Sequence, residues 1–114
     1  GPIESRFADI IWTNEPISSS ELAKKSEAEL TWKKTTSYTV LKRLCGKGIF
    51  VNNRGTVTSL ISREQFYSMQ SAQYVEETFD GSLPAFIAAF TKQKKLSSKE
   101  IAEIQKMIEE AEEK

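Results

Sequence analysis

The sequence contains no histidine and a single cysteine, Cys45. Without an imidazole, Ser-His and Cys-His nucleophilic pairs and histidine metal sites are excluded. One thiol forms neither an internal disulfide nor a cysteine cluster for zinc or iron, so a reducing cytoplasm is the expected location. No apolar run approaches the ~20 residues of a membrane span, and no basic-then-apolar leader opens the chain. A Gly-rich phosphate loop, an internal repeat and a low-complexity linker are also missing. These absences disfavour an enzyme and lead to an expectation of no cofactor and no metal. Net charge is lacking too: 16 Lys and Arg stand against 16 Asp and Glu in 114 residues. A neutral total ordinarily argues against nucleic acid as a partner.

The distribution of those charges reverses the argument. Residues 1–65 carry ten basic and seven acidic side chains, a net of +3, and residues 66–114 carry six basic and nine acidic, a net of −3. From Leu30 through Arg63 there is no acidic residue at all, but seven basic ones. A basic, acid-free stretch inside a folded segment is the electrostatic footprint of phosphate contacts, although a solvated basic face has the same composition.

Apolar spacing then supplies the elements. Phe7, Ile10 and Ile11 predict a helix over residues 3–12, broken by Thr13-Asn14-Glu15-Pro16. Ser18-Ser19-Ser20-Glu21 offers hydroxyl caps to a second helix that carries Leu22 and Ala23. A third is expected to start near Trp32-Lys33 and to stop at Gly46 or Gly48, with Ser37, Val40, Leu41 and Leu44 on its inner face. Residues 49–51 and 57–61 read as two strands, and Asn52-Asn53-Arg54-Gly55 as the hairpin turn between them. Three further helices follow. One carries Phe66, Met69, Tyr74, Val75 and Phe79 and ends at Asp80-Gly81. A shorter one runs from Ser82 with Pro84 in its first turn, and the last starts at Ser97 or Ser98 with Glu100 close behind.

Helix, helix, helix, hairpin is the order of a winged helix-turn-helix, in which the third helix enters the DNA major groove and the hairpin wing lies along the backbone. The fold class expected is therefore mainly α with a small β-hairpin: a winged-helix domain over residues 1–63 and a C-terminal helical dimerisation domain over residues 64–114. Phe7, Ile10, Ile11, Leu22, Val40, Leu41, Leu44, Ile49 and Val57 form the candidate core of the first. Trp12 and Trp32 read as packing residues, and Cys45 as a filler beside an apolar face.

With the apolar residues of the third helix turned inward, Lys34, Thr35, Tyr38, Thr39, Lys42 and Arg43 form its outer arc, with Thr36 at the margin. Thr hydroxyls suit phosphate and Thr methyls suit a thymine methyl; Tyr38 either reaches the groove or covers the rim of the core. Arg43 can form a fork to guanine, but near the helix end a phosphate is the nearer target for Lys42 and Arg43. Lys33 and Lys34 at the helix start, and Asn53 and Arg54 at the wing tip, are placed to hold the backbone. In the second half, Tyr74, Phe79, Leu83, Phe86, Ile87, Phe90, Ile101, Ile104 and Ile108 exceed what so short a set of helices can bury within itself, so a second copy of the chain is the expected cover.

Several segments resemble the penicillinase-repressor family. Ile10-Ile11-Trp12 is similar to the end of that family's opening helix. Thr36-Ser37-Tyr38-Thr39-Val40-Leu41-Lys42-Arg43-Leu44 with Gly46-Lys47-Gly48 resembles its recognition helix and turn into the wing. Phe79-Asp80-Gly81-Ser82-Leu83, Phe90 and Leu96-Ser97 resemble its dimerisation segment. The resemblance runs from Glu4 to about Glu110 and implies a cytoplasmic, dimeric repressor of palindromic operators, often those of β-lactamase or related resistance genes. It also implies a sensor-linked protease as a partner; the family is cut in its dimerisation region, usually between Asn and Phe, and the matching pair here is Ala89-Phe90. The copper-responsive branch carries a C-terminal Cys-x-Cys pair, which this chain lacks. The competing expectation is a winged-helix module that binds protein without DNA.

Overall fold

Phe7, Ala8, Ile10 and Ile11 are all buried on a first helix, α1 (Pro2–Asn14), because positions three and four apart fall on one face of an α-helix. The computed structural model describes residues 2–112. After α1 a two-residue strand, β1 (Ile17–Ser18), leads into α2 (Ser19–Leu30). The Ser18 hydroxyl caps α2 by accepting the Glu21 backbone N–H at 3.1 Å. The helix stops where Thr31 turns left-handed, at φ 58°, a conformation in which a β-branched residue costs about 1 kcal/mol or more. Three residues, Thr31, Trp32 and Lys33, connect it to α3 (Lys34–Gly46). The left-handed residue past the end of α3 is Gly48, at φ 79°, rather than Gly46.

The hairpin follows as β2 (Phe50–Asn53) and β3 (Thr56–Ser59). Asn53 pairs with Thr56, so the connection is the dipeptide Arg54-Gly55, and both take positive φ, 53° and 90°. That is the twist-matched two-residue turn, and the Asn52 side chain closes it by accepting the Gly55 N–H at 2.9 Å. The sheet has three strands in the order β1-β3-β2, with Ile17 opposite Val57. β1 is too short to show a period and exists because β3 offers it a partner. The loop before it is pinned as well: the Glu15 carboxylate accepts the backbone N–H and the hydroxyl of Ser59, both at 2.9 Å.

All nine core candidates named from the sequence are buried, and Ala8, Ile17, Ala23, Phe50 and Phe66 join them. Phe66 arrives from α4 (Arg63–Phe79), whose start is a reciprocal cap in which Ser62 and Gln65 satisfy each other's backbone N–H groups. Trp12 packs on Phe50 and Phe66, with ring centroids 5.1 and 5.2 Å apart, and its indole N–H donates to the Ile61 carbonyl. Trp32 stacks on Phe7 at 5.1 Å. On the outside of α1, Asp9 receives Arg63 at 2.9 Å and the Tyr67 hydroxyl at 3.0 Å. Partial desolvation first, and then donation to Asp9, hold the Tyr67 phenol above its ordinary pKa.

These contacts make the first two turns of α4 part of the N-terminal unit, which extends to Gln70; the second unit begins at Ser71. The division thus falls inside α4, seven residues past the boundary expected at residue 63, because Phe66 completes the core.

The second unit comprises the remainder of α4 with α5 (Leu83–Gln93) and α6 (Ser98–Glu110). Ser82 caps α5, with Pro84 in the first turn, and Ser97 and Glu100 form a capping box on α6. Between α4 and α5, Asp80 and Gly81 both adopt positive φ, and a side chain at Gly81 would meet the Glu76 carboxylate at 2.7 Å. Tyr74, Phe79 and Phe86 form an edge-on aromatic cluster, yet no described residue of this unit is fully buried. No helix among the described residues is long and apolar enough to cross a membrane.

Truncating the aromatic that α4 contributes tests this assignment. Phe66→Ala should destabilise the N-terminal unit by about 3–5 kcal/mol, read as a lowered urea midpoint in the fluorescence of Trp12 and Trp32.

Candidate nucleic-acid interface

α3 divides as helical geometry requires. Ser37, Val40, Leu41 and Leu44 are buried, and Lys34, Thr35, Thr36, Tyr38, Thr39, Lys42 and Arg43 are all exposed. Every outward position named from the sequence is therefore open to a ligand. Tyr38 lies at the border, 37% exposed, with the Lys34 ammonium 5.9 Å from its ring centroid. That placement sets Lys34 along the helix, one turn before Tyr38.

The hydroxyls are not equivalent. Thr39 donates to the Thr35 carbonyl one turn earlier, at 2.9 Å, so its proton is committed within the helix. What Thr39 offers a neighbour is its methyl group and an acceptor lone pair, which fits a thymine methyl better than a phosphate. Thr35, Thr36, Thr39, Val40 and Arg43 line a shallow depression of about 270 Å³. Lys33 occupies the N-cap position of α3 without making a side-chain cap, and its side chain is exposed. Lys42 and Lys47 are exposed near the other end of the helix.

Asn53 and Arg54 are both exposed at the wing tip. The tip is tied to the start of α2, since the Ser19 N–H donates to the Gly55 carbonyl at 2.8 Å. Ser18, paired with Thr56, and Ser19 consequently sit beside the turn, a neighbourhood that the linear pattern shows only as a helix cap. A second tertiary feature, also invisible in the linear pattern, is the approach of Glu4 on α1 to Arg43 on α3, 4.0 Å apart. The acid-free stretch is acid-free in sequence, but not in space.

Cys45 is half-buried, and burial pushes its thiol pKa up against the smaller opposing effect of the Asn52 backbone, as suits a packing residue. Among the described residues no cluster of three or more acidic or cysteine side chains is arranged to hold a metal ion.

The residues expected at a dimer interface lie in the second unit. Tyr74, Leu83, Ile87, Phe90, Ile101 and Ile108 are exposed, and Phe79, Phe86 and Ile104 are half-buried. Ala89 and Phe90 are both exposed on α5.

One buried group on α3 has no partner. The Ser37 hydroxyl is 2% exposed and makes no hydrogen bond among the described residues. Ser37→Ala removes that desolvated hydroxyl and should raise stability by up to about 1 kcal/mol without altering ligand affinity, which paired thermal melts and titrations check.

The sequence profile of the penicillinase repressor family matches residues 1–110. The penicillinase repressor of Bacillus licheniformis is 27% identical over 111 residues, an alignment that covers 94% of this chain and 87% of that protein. With the winged-helix elements in order and the family profile spanning nearly the whole chain, the chain belongs to the penicillinase repressor family of transcriptional repressors.

Proposed function

We propose that this chain is a dimeric repressor that places α3 in the DNA major groove and the Arg54-Gly55 wing along the backbone of a palindromic operator, controlling β-lactamase or related resistance genes in the cytoplasm. The observation that carries the reading is the outer face of α3, where hydroxyls, an aromatic and cations are all exposed above an apolar inner face. A groove wide enough for a helix presents base edges to such a face, and the flanking phosphates fall to Lys33, Lys34, Lys42 and Arg54.

Dimerisation is supported by the apolar residues of the second unit. Leu83 is 55% exposed, Tyr74 53% and Ile108 62%, and a groove lined in part by Tyr74, Val75, Leu83 and Phe86 runs across it. Side chains of that size gain about 1.5–3 kcal/mol each when fully buried, so a second copy is the cover that answers most of this surface. A two-fold body would hold two recognition helices at a set half-site spacing. The resemblance points to Ala89-Phe90 as the bond for a sensor-linked protease. Both residues are in helical conformation, so α5 has to unwind locally before a protease can take them as an extended strand.

Four phosphate-directed cations per chain, doubled in a dimer, set a log–log salt slope of about −7 for operator binding. Lys42→Ala should reduce that slope by about two, measured by fluorescence anisotropy on the gene's own promoter; a salt-independent affinity would remove the reading. Ile108→Asp puts two like charges into the proposed interface. It should convert the dimer to monomer in sedimentation equilibrium at micromolar concentration while leaving the N-terminal unit folded.

A further inference from the structure

We infer that Glu4 is a positioning residue for base recognition: it steers Arg43 away from phosphates and towards the neutral acceptors of a base edge. The inference rests on the DNA-reading function proposed above and deepens it. Glu4 stands in the first turn of α1 and Arg43 in the last turn of α3. Each charge therefore sits at the helix end that favours it, negative by the N-terminus and positive by the C-terminus. The Glu4 carboxylate approaches the guanidinium through Nε, the inner nitrogen, at 4.0 Å, and its side chain is 20% exposed against 53% for Arg43. Its Oε1 atom is out of contact with solvent. The carboxylate is thus the sheltered member of the pair, and the arginine is the member exposed to the outside.

The consequence follows from sign. A phosphate brought to Arg43 places a second negative charge close to Glu4, and like charges in a partly desolvated contact repel. A guanine edge presents the acceptors O6 and N7 and no net charge, so it incurs no such repulsion and takes a planar guanidinium fork well. Arg43 also forms one wall of the depression lined by Thr35, Thr36, Thr39 and Val40, where methyl groups and a hydrophobic floor suit a base rather than a phosphate. Lys42, one residue earlier, is in no ion pair with a described residue and remains the phosphate-directed cation of this helix end. Two adjacent cations of equal charge are separated in role by the guanidinium fork of Arg43 and by one carboxylate contributed from another helix.

The test compares the full-length protein with Glu4→Gln, Arg43→Ala and the double variant. Two probes are used: the duplex that wild type selects from a randomised pool, and sheared mixed-sequence duplex. Glu4→Gln is isosteric, and thermal melts establish that each variant is folded. The expected result is that Glu4→Gln binds mixed-sequence duplex about three- to tenfold more tightly, with a steeper salt slope, while affinity for the selected duplex changes less. The ratio of the two affinities then falls, and Glu4→Asp, which retains the charge but draws it back by one methylene, lies between. In the Arg43→Ala background the effect of Glu4→Gln on that ratio disappears. Equal changes on both probes, or the same gain with Arg43 absent, would show a general charge effect and overturn the inference while the DNA-reading function stands. Failure of wild type to select any duplex would overturn both.

Discussion

The N-terminal unit is organised around the indole of Trp12. Its ring meets Phe50 of β2 and Phe66 of α4, its N–H donates to the Ile61 carbonyl between the wing and α4, and Arg63 lies 5.8 Å over its face. One side chain on α1 therefore joins the hairpin, the linker after it and the start of the next helix. A unit of this size buries too small a fraction of its surface for three helices and a hairpin to be comfortably stable alone. The aromatic area that Phe66 brings inside against Trp12 is what a fourth helix contributes, and it is the reason α4 begins as part of the N-terminal unit. The position of α3 depends on this arrangement, because Val40, Leu41 and Leu44 belong to the same core against which Trp12 packs.

Electrostatics act on a different scale from packing. The opposed charges of the two halves set the long-range field, which favours approach of a polyanion to the first and disfavours it at the second. At short range the outcome is decided residue by residue. Lys34 rests on Tyr38, Arg43 faces Glu4, and Asp9 is occupied by Arg63 and Tyr67. The exposed ion pairs among these contribute little to stability, about 0–1 kcal/mol each, and their value lies in where they leave the side chains pointing. Glu15 acts similarly on the wing, where its carboxylate holds Ser59 and with it the β3 end of the hairpin.

The second unit shows the opposite balance. Its helices are well punctuated, by Ser82 and Pro84 at one start and by the Ser97–Glu100 box at another, so local signals alone specify where they begin. Yet Tyr74, Phe79 and Phe86 only meet edge-on, and Leu83, Ile101 and Ile108 remain open. Local signals make the helices; they do not supply enough partners to bury them.

The sequence by itself determined the six helices, the hairpin and the division of α3 into inner and outer faces, because each is a matter of short-range periodicity and of caps such as Ser18 and Ser97. It determined Asn52 and Gly55 as turn residues for the same reason. The tertiary structure alone decided what depends on residues distant in the chain. β1 exists through its pairing with β3, and the unit boundary moves past residue 63 because Phe66 is needed in a core made mostly by residues before 60. Glu4 reaches Arg43 across 38 intervening positions of sequence, a distance over which no period or cap signal reports proximity. Local geometry is written in the order of the residues, whereas the company each residue keeps is set only when the helices pack.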